Sequence, residues 1–247
     1  MKLWLIRHGM TKGNQEHRYV GTTDEGILPE EKERLQAKAA DMDLHPTIVF
    51  VSPARRCRET AACLFPGLQA AQLCASGEGP EEETSSAGTA MRPSRQSESV
   101  TENAEGAAPE LIVVPEFMEM NFGAFEYMSW QEINQDPDPA HRAAYQRYID
   151  SNGETAFPGG ESKAEFTKRV CDGFERAVLP RLQEHQDIAI VAHGGTIMAL
   201  MERYAEPHKP YFEWSVKPGE GYHLDLMWSG PIKFEYATFS MEFFWKI

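Results

Sequence analysis

Positive charge, cysteine and long apolar runs are all in short supply in this chain, and each shortage removes a class of function. The 247 residues hold 24 Lys and Arg against 38 Asp and Glu, a formal charge of −14. Nucleic acid and anionic membranes reward a basic surface, so neither is expected as the main partner. The four cysteines, Cys57, Cys63, Cys74 and Cys171, form no CxxC pair, and a chain of this size needs no disulfide staples. No run reaches the length of a membrane span, and the apolar residues ahead of Arg7 and His8 are too few for a signal peptide. The expected setting is the cytoplasm, with the cysteines reduced.

Aromatic residues, Leu and Ile are missing altogether from Ala75 to Glu110, where eight Glu face two Arg and only Met91 and Val100 are larger apolar residues. Such a segment cannot offset its ordering entropy by burial. It is expected to be a disordered acidic insertion at 75–110 within a single domain spanning 1–247. Around it, strands and helices alternate. Lys2–Ile6, Ile48–Ser52, the LIVVP stretch and DIAIVAH read as buried strands. Helices are expected from Pro29, from Arg55 to Phe65, on both sides of the DPDP break between Ser129 and Asn152, from Ser162 to about Glu184, and from Gly195 to Tyr204. YHLDLMW and KFEYATF alternate as strands do. The pattern predicts an α/β fold.

Two of the strands end alike: LIRHGMT at Leu5 and IVAHGGT at Ile190 each run from apolar residues into His-Gly and on to Thr. In open α/β sheets, ligands bind beyond the carboxyl ends of strands, which is where His8 and His193 fall. Glycine after each histidine permits close approach of a ligand to the backbone. Ser52, Arg56 and Thr60 follow at four-residue spacing and share one face. Arg7 and Arg56 with two histidines would suit a phosphate dianion, since guanidinium stays charged and offers a rigid fork of donors. Imidazole can take the phosphoryl group covalently, and a carboxyl kept protonated by its surroundings can protonate the leaving alkoxide. EFMEMNFGAFE offers Glu116, Glu119 and Glu126 for that proton, and composition does not choose among them. No HxH, HExxH, Walker A or CxxxxxR motif occurs, so no motif calls for a metal or a cofactor.

These residues together resemble the histidine phosphatase superfamily, also called phosphoglycerate mutase-like. Arg7-His8-Gly9 is similar to its RHG signature, continued by Thr11 and Asn14, and RYVGTTD from Arg18 to its phosphate-side loop, which contains Gly21. SPARRCRETA is similar to S-x-x-x-R-x-x-x-T-A, EMNFGAFE to E-x-x-F-G-x-x-E, and AHGG supplies the second histidine. The resemblance implies a three-layer α/β/α sandwich with a mostly parallel sheet. It assigns His8 as nucleophile, Glu119 as general acid, and Arg7, Arg56 and His193 as stabilisers of the transferred phosphoryl group. Asn14, Gly21 and Thr11 are implied on the phosphate side. Phe157–Ser162, FPGGES, looks most like the α-ribazole phosphatase branch, which puts Glu161 on the substrate side. Read alone, the same stretch is a turn with Ser162 as a helix cap. Met10, Pro53-Ala54 and Tyr127 depart from the usual pattern, Tyr127 standing where glycine is common. The implied activity is a cofactor-independent phosphatase for a small phosphate ester, α-ribazole 5′-phosphate first. A phosphoglycerate mutase and a non-catalytic phosphate-binding regulator, with the acidic insertion recruiting a partner, are the alternatives.

Overall fold

The computed structural model describes residues 1–40, 44–68, 108–184, 186–225 and 234–235. Most of the expected insertion, 75–107, therefore lies outside the described residues. Glu110 does not belong to it. That residue opens strand β3, pairs with Ile48, and donates its N–H to Thr47 O at 2.9 Å.

Seven strands occur among the described residues: β1 (Lys2–Arg7), β2 (Ile48–Val51), β3 (Glu110–Val113), β4 (Ile188–Ala192), β5 (Ala205–Glu206), β6 (Gly221–Asp225) and β7 (Phe234–Glu235). Five form the main sheet in the order β3-β2-β4-β1-β6, all parallel except β6, while β5 pairs with β7. Central parallel strands are covered on both faces, which is why they read as unbroken apolar runs. Alternate residues divide between the faces. Leu3, Leu5, Ile48, Phe50, Ile188 and Ile190 pack with Phe166, Val170, Ile197 and Leu200. Trp4, Ile6, Val49, Val51, Ala189 and Val191 pack with Leu35, Cys57, Ala61 and Leu64. Helices thus cover both faces, and the molecule is an α/β/α sandwich with a mostly parallel sheet. Phe50 is fully buried, and truncating such a side chain to alanine costs about 3–5 kcal/mol.

The helices start and stop where their local chemistry dictates. Pro29 begins the Pro29–Ala39 helix at its first turn. Ser162 caps Lys163–Gly173 in a reciprocal box: its Oγ accepts from Glu165 N–H at 3.2 Å, and Glu165 accepts from Ser162 N–H at 2.9 Å. That long helix is not uniform. A π turn at Phe174–Val178 precedes Leu179–Gln183, because Pro180 has no N–H to give and its ring crowds the carbonyl four residues back. The DPDP break separates Trp130–Asn134 from Pro139–Asp150, which Asp138 caps. Of the two terminal strands expected, Gly221–Asp225 and Phe234–Glu235 are seen; 226–233 and 236–247 lie outside the described residues.

Candidate active site

Sheet register brings the two histidines together. β1 and β4 run side by side in the same direction with Arg7 opposite Ala192, so the next residue on each strand faces one crevice. His8 N–H donates to Ala192 O at 2.9 Å, and Ser52, just beyond β2, donates its N–H to Val191 O at 3.1 Å. Three strand ends converge there.

Hydrogen bonding fixes the state of each ring. Gly9 O can only accept, so the 2.8 Å contact from His8 Nδ1 places the proton on Nδ1 and leaves the Nε2 lone pair free. Burial, reinforced by Arg56 and Arg7, holds His8 well below the ordinary histidine pKa. It is therefore neutral near pH 7, the form in which imidazole is nucleophilic. His193 is lowered for the same reasons. Its Nδ1 accepts from Arg56 Nε at 3.3 Å, which leaves the proton on Nε2 to donate to Ser52 Oγ at 2.8 Å. Cys57 Sγ stands 3.6 Å from the same Nε2, and burial pushes its thiol up to about 12.

Two guanidiniums enter this buried space, and neither has an ion pair among the described residues. Arg7 donates Nη1 to Val216 O at 2.6 Å, while its buried Nε has no partner. Arg56, fully buried, bonds the carbonyls of Val20, Gly21 and Thr23. Thr60 secures the arrangement: its hydroxyl donates to Arg56 O at 2.8 Å and accepts from Gly9 N–H at 2.9 Å. Asn14 Oδ1 is also buried without a partner. Half a turn of that amide presents its NH2, a donor for an anion. Thr11 acts one step back, capping the short Lys12–Gln15 helix by accepting Asn14 N–H at 3.2 Å.

The structure separates the three glutamates. Glu116 pairs with Arg176 at 2.7 Å on the surface. Glu126 accepts from Gly21 and Thr23. Glu119 sits against the start of the helix that follows His193: its carboxylate accepts Met120 N–H at 2.9 Å and Gly195 N–H at 3.3 Å, and burial raises its pKa against those bonds and the arginines. Gly195 makes the fit possible, since a Cβ there would lie 2.3 Å from Glu119 Oε1.

Two of the expected substrate-binding residues are bonded within the protein. Glu161 acts as a brace: Arg169 Nε and Nη2 reach its two oxygens at 2.8 Å, and it accepts Asn121 N–H at 2.9 Å. Arg169 in turn bonds the carbonyls of Glu116, Met118 and Glu119, so the pair stiffens the loop that carries Glu119. Gly21 gives its N–H to Glu126 and its carbonyl to Arg56. Sequence reasoning also missed Tyr211, which donates to Gly195 O at 3.2 Å and interacts electrostatically with Glu119. Its place depends on a connection with no local motif.

Residues 3–74 and 92–226 match the family model of the histidine phosphatase superfamily, branch 1. The chain belongs to this superfamily. Among curated relatives, a 2,3-bisphosphoglycerate-dependent phosphoglycerate mutase from Cytophaga hutchinsonii is 25% identical over 96% of this chain and 88% of its own. Among solved structures, the α-ribazole phosphatase from Shigella flexneri aligns with a TM-score of 0.66 at 21% identity, covering 92% of this chain and 91% of that one. A phosphoglycerate mutase from Thermus thermophilus aligns at 0.56 and 24% identity, covering 94% and 95%. The superfamily holds phosphatases and mutases alike. Among the described residues no helix is long and apolar enough to cross a membrane, and no group of three metal-binding side chains occurs.

Proposed function

We propose that this protein is a phosphomonoesterase that works through a phosphohistidine on His8, with α-ribazole 5′-phosphate as its leading substrate. One observation carries the reading: a neutral imidazole with a free Nε2 lies beside two arginines that lack carboxylate partners among the described residues. His8 Nε2 attacks phosphorus as the ester P–O bond breaks, and Glu119, whose pKa burial raises, gives its proton to the leaving alkoxide. The Glu119 carboxylate then takes a proton from water, which attacks the phosphohistidine and frees His8 and inorganic phosphate. Charge on the phosphoryl oxygens is met by Arg7, Arg56 and Asn14. An arriving dianion also favours protonated His193. Its Nδ1–H and the Arg56 Nε–H then repel, and both turn to phosphate.

Hydrolysis is preferred to mutase chemistry because a phosphoglycerate brings a carboxylate that needs its own cation. Between Glu126 and Ser162, Arg142 is bonded to Asp136 O, and Arg147 points outward, exposed. Arg169, on the helix that follows Ser162, is already engaged by Glu161 and three carbonyls. The α-ribazole assignment is supported by the FPGGES turn, whose Gly160 packs under Asn121 O behind the Glu119 loop. The test is release of phosphate from α-ribazole 5′-phosphate, 3-phosphoglycerate, sugar phosphates and p-nitrophenyl phosphate with EDTA present. Selective turnover of the first supports the assignment, whereas conversion of 3-phosphoglycerate to its 2-isomer without release overturns it.

A further inference from the structure

Glu126 takes no part in the chemistry above, yet its carboxylate is bonded in an unusual way. One oxygen, Oε1, accepts three donors: Gly21 N–H at 2.9 Å, Thr23 N–H at 2.9 Å and Thr23 Oγ1–H at 2.8 Å. The other, Oε2, is buried and has no partner among the described residues. The same loop is gripped from its far side by Arg56, whose Nη1 donates to Thr23 O at 2.8 Å and whose Nη2 donates to Gly21 O at 2.8 Å and Val20 O at 3.3 Å. With Nε on His193, four of the five N–H groups of Arg56 are committed.

We infer that Glu126 is a positioning residue, which sets Arg56 and supplies its distant counter-charge through the Val20–Thr23 loop. The peptide group joining Val20 to Gly21 links the two directly, its N–H donating to Glu126 while its C=O accepts from Arg56. Each bond polarises the next, so carboxylate and guanidinium strengthen one another without touching. Contact between loop and glutamate is close. A Cβ on Gly21 would lie 2.2 Å from Met120 O and 2.7 Å from Glu126 Oε2, so the loop follows any movement of the Glu126 segment. A carboxylate paired directly with Arg56 would occupy the fork that an anion must reach. Relayed through a peptide, its charge steadies the buried cation and leaves the last N–H open.

The inference rests on the reading of Arg56 as a phosphate ligand, and the experiment separates the two. Orthophosphate is titrated calorimetrically into the full-length wild type, Glu126→Ala, Glu126→Gln, Arg56→Ala and the Glu126→Ala/Arg56→Ala double variant. Arginine Nε–H signals are followed by NMR in the same proteins. Glu126→Ala is expected to weaken phosphate binding about ten-fold in the wild type and not at all in the Arg56→Ala background. Glu126→Gln keeps a carbonyl oxygen at Oε1 but removes the counter-charge, so it should weaken binding by about three-fold, between the wild type and Glu126→Ala. The Arg56 Nε–H signal, identified by its loss in Arg56→Ala, should exchange away in Glu126→Ala, while that of Arg169, held by Glu161, persists. Independent losses that multiply in the double variant, or an unchanged Arg56 signal, overturn the inference. If the wild type binds no orthophosphate, the phosphatase reading fails and the Arg56 signal alone decides this one.

Discussion

The rings of His8 and His193 meet edge to face, 5.2 Å between centroids and 67° between planes, at the ends of adjacent parallel strands. Only His8 has a nitrogen lone pair uncommitted to the protein, because both nitrogens of His193 are in use. The arrangement divides the labour between attack and charge.

That division predicts unequal mutants. His8→Ala should lower kcat by roughly 10³-fold or more and abolish an acid-labile phosphoenzyme, since the other histidine of the site, His193, has both ring nitrogens engaged. His193→Ala should leave some labelling while slowing its formation. Rapid-quench labelling with a ³²P substrate distinguishes them; a labelled His8→Ala enzyme refutes the assignment.

The two perturbed groups also set the pH profile. His8 must be unprotonated, and its lowered pKa puts the acid limb below 6.5. Glu119 must be protonated, and its raised pKa puts the alkaline limb above 4.5. The kcat/KM profile for a poor leaving group, which reports the groups of the free enzyme, should therefore be bell-shaped between these two limbs, and Glu119→Gln should remove the alkaline limb. Glu119 leaves a mark on stability as well. A carboxyl whose folded pKa is raised holds its proton longer folded than unfolded, so stability falls as pH rises above 4.5 until the folded group ionises. Glu119→Gln should flatten that fall, as seen by thermal unfolding between about pH 4 and 8.

Gly195→Ala tests the same carboxyl by steric means. In an ordinary helix, Gly to Ala gains about 1 kcal/mol. Here the new Cβ would meet Glu119 Oε1 at 2.3 Å and Phe166 Cζ at 3.0 Å. The carboxyl end is flexible and can turn aside, so stability should change little while activity toward alkyl phosphates drops about ten-fold or more. Activity toward p-nitrophenyl phosphate, which leaves without a proton, should suffer less. An equal fall with both substrates counts against this.

How far the sequence foretold these features depended on whether each was local. Buried parallel strands read as apolar runs, so the His8 and His193 strand ends were legible, and helical spacing put Arg56 and Thr60 together, whereas Ser52 lies ahead of the Arg55–Leu64 helix, just beyond β2. The choice among Glu116, Glu119 and Glu126 was not legible, because it turns on which neighbour each meets: Arg176, Gly195 or the Gly21 loop. The bracing role of Glu161 was hidden for the same reason. Its partner Arg169 lies eight residues on, and only the FPGGES turn folds the two together. Tyr127, which replaces a common glycine, keeps the glycine conformation at φ 62°. That backbone costs a non-glycine residue about 1–2 kcal/mol, against which its hydroxyl donates to Glu25 at 3.2 Å and its ring lies 5.2 Å from the Arg18 guanidinium.

Anion binding should take up a proton. Without ligand, His193 is neutral at pH 7 because burial and two arginines disfavour its cation. A phosphate dianion reverses the local charge and raises that pKa, so the complex holds up to one more proton on His193. Calorimetric titration of orthophosphate in buffers of different ionisation enthalpy measures the uptake, and His193→Gln should abolish it. The same ligand should stabilise the fold by satisfying the buried Arg7 Nε, which the free protein leaves without a partner. At about a hundred times its Kd the gain is about 2.7 kcal/mol, a rise in Tm of roughly 5–10 °C for a chain of this size. Arg7→Met should cut that rise by weakening binding. A proton count that His193→Gln leaves unchanged would move the titrating group elsewhere and leave His193 an orienting role alone.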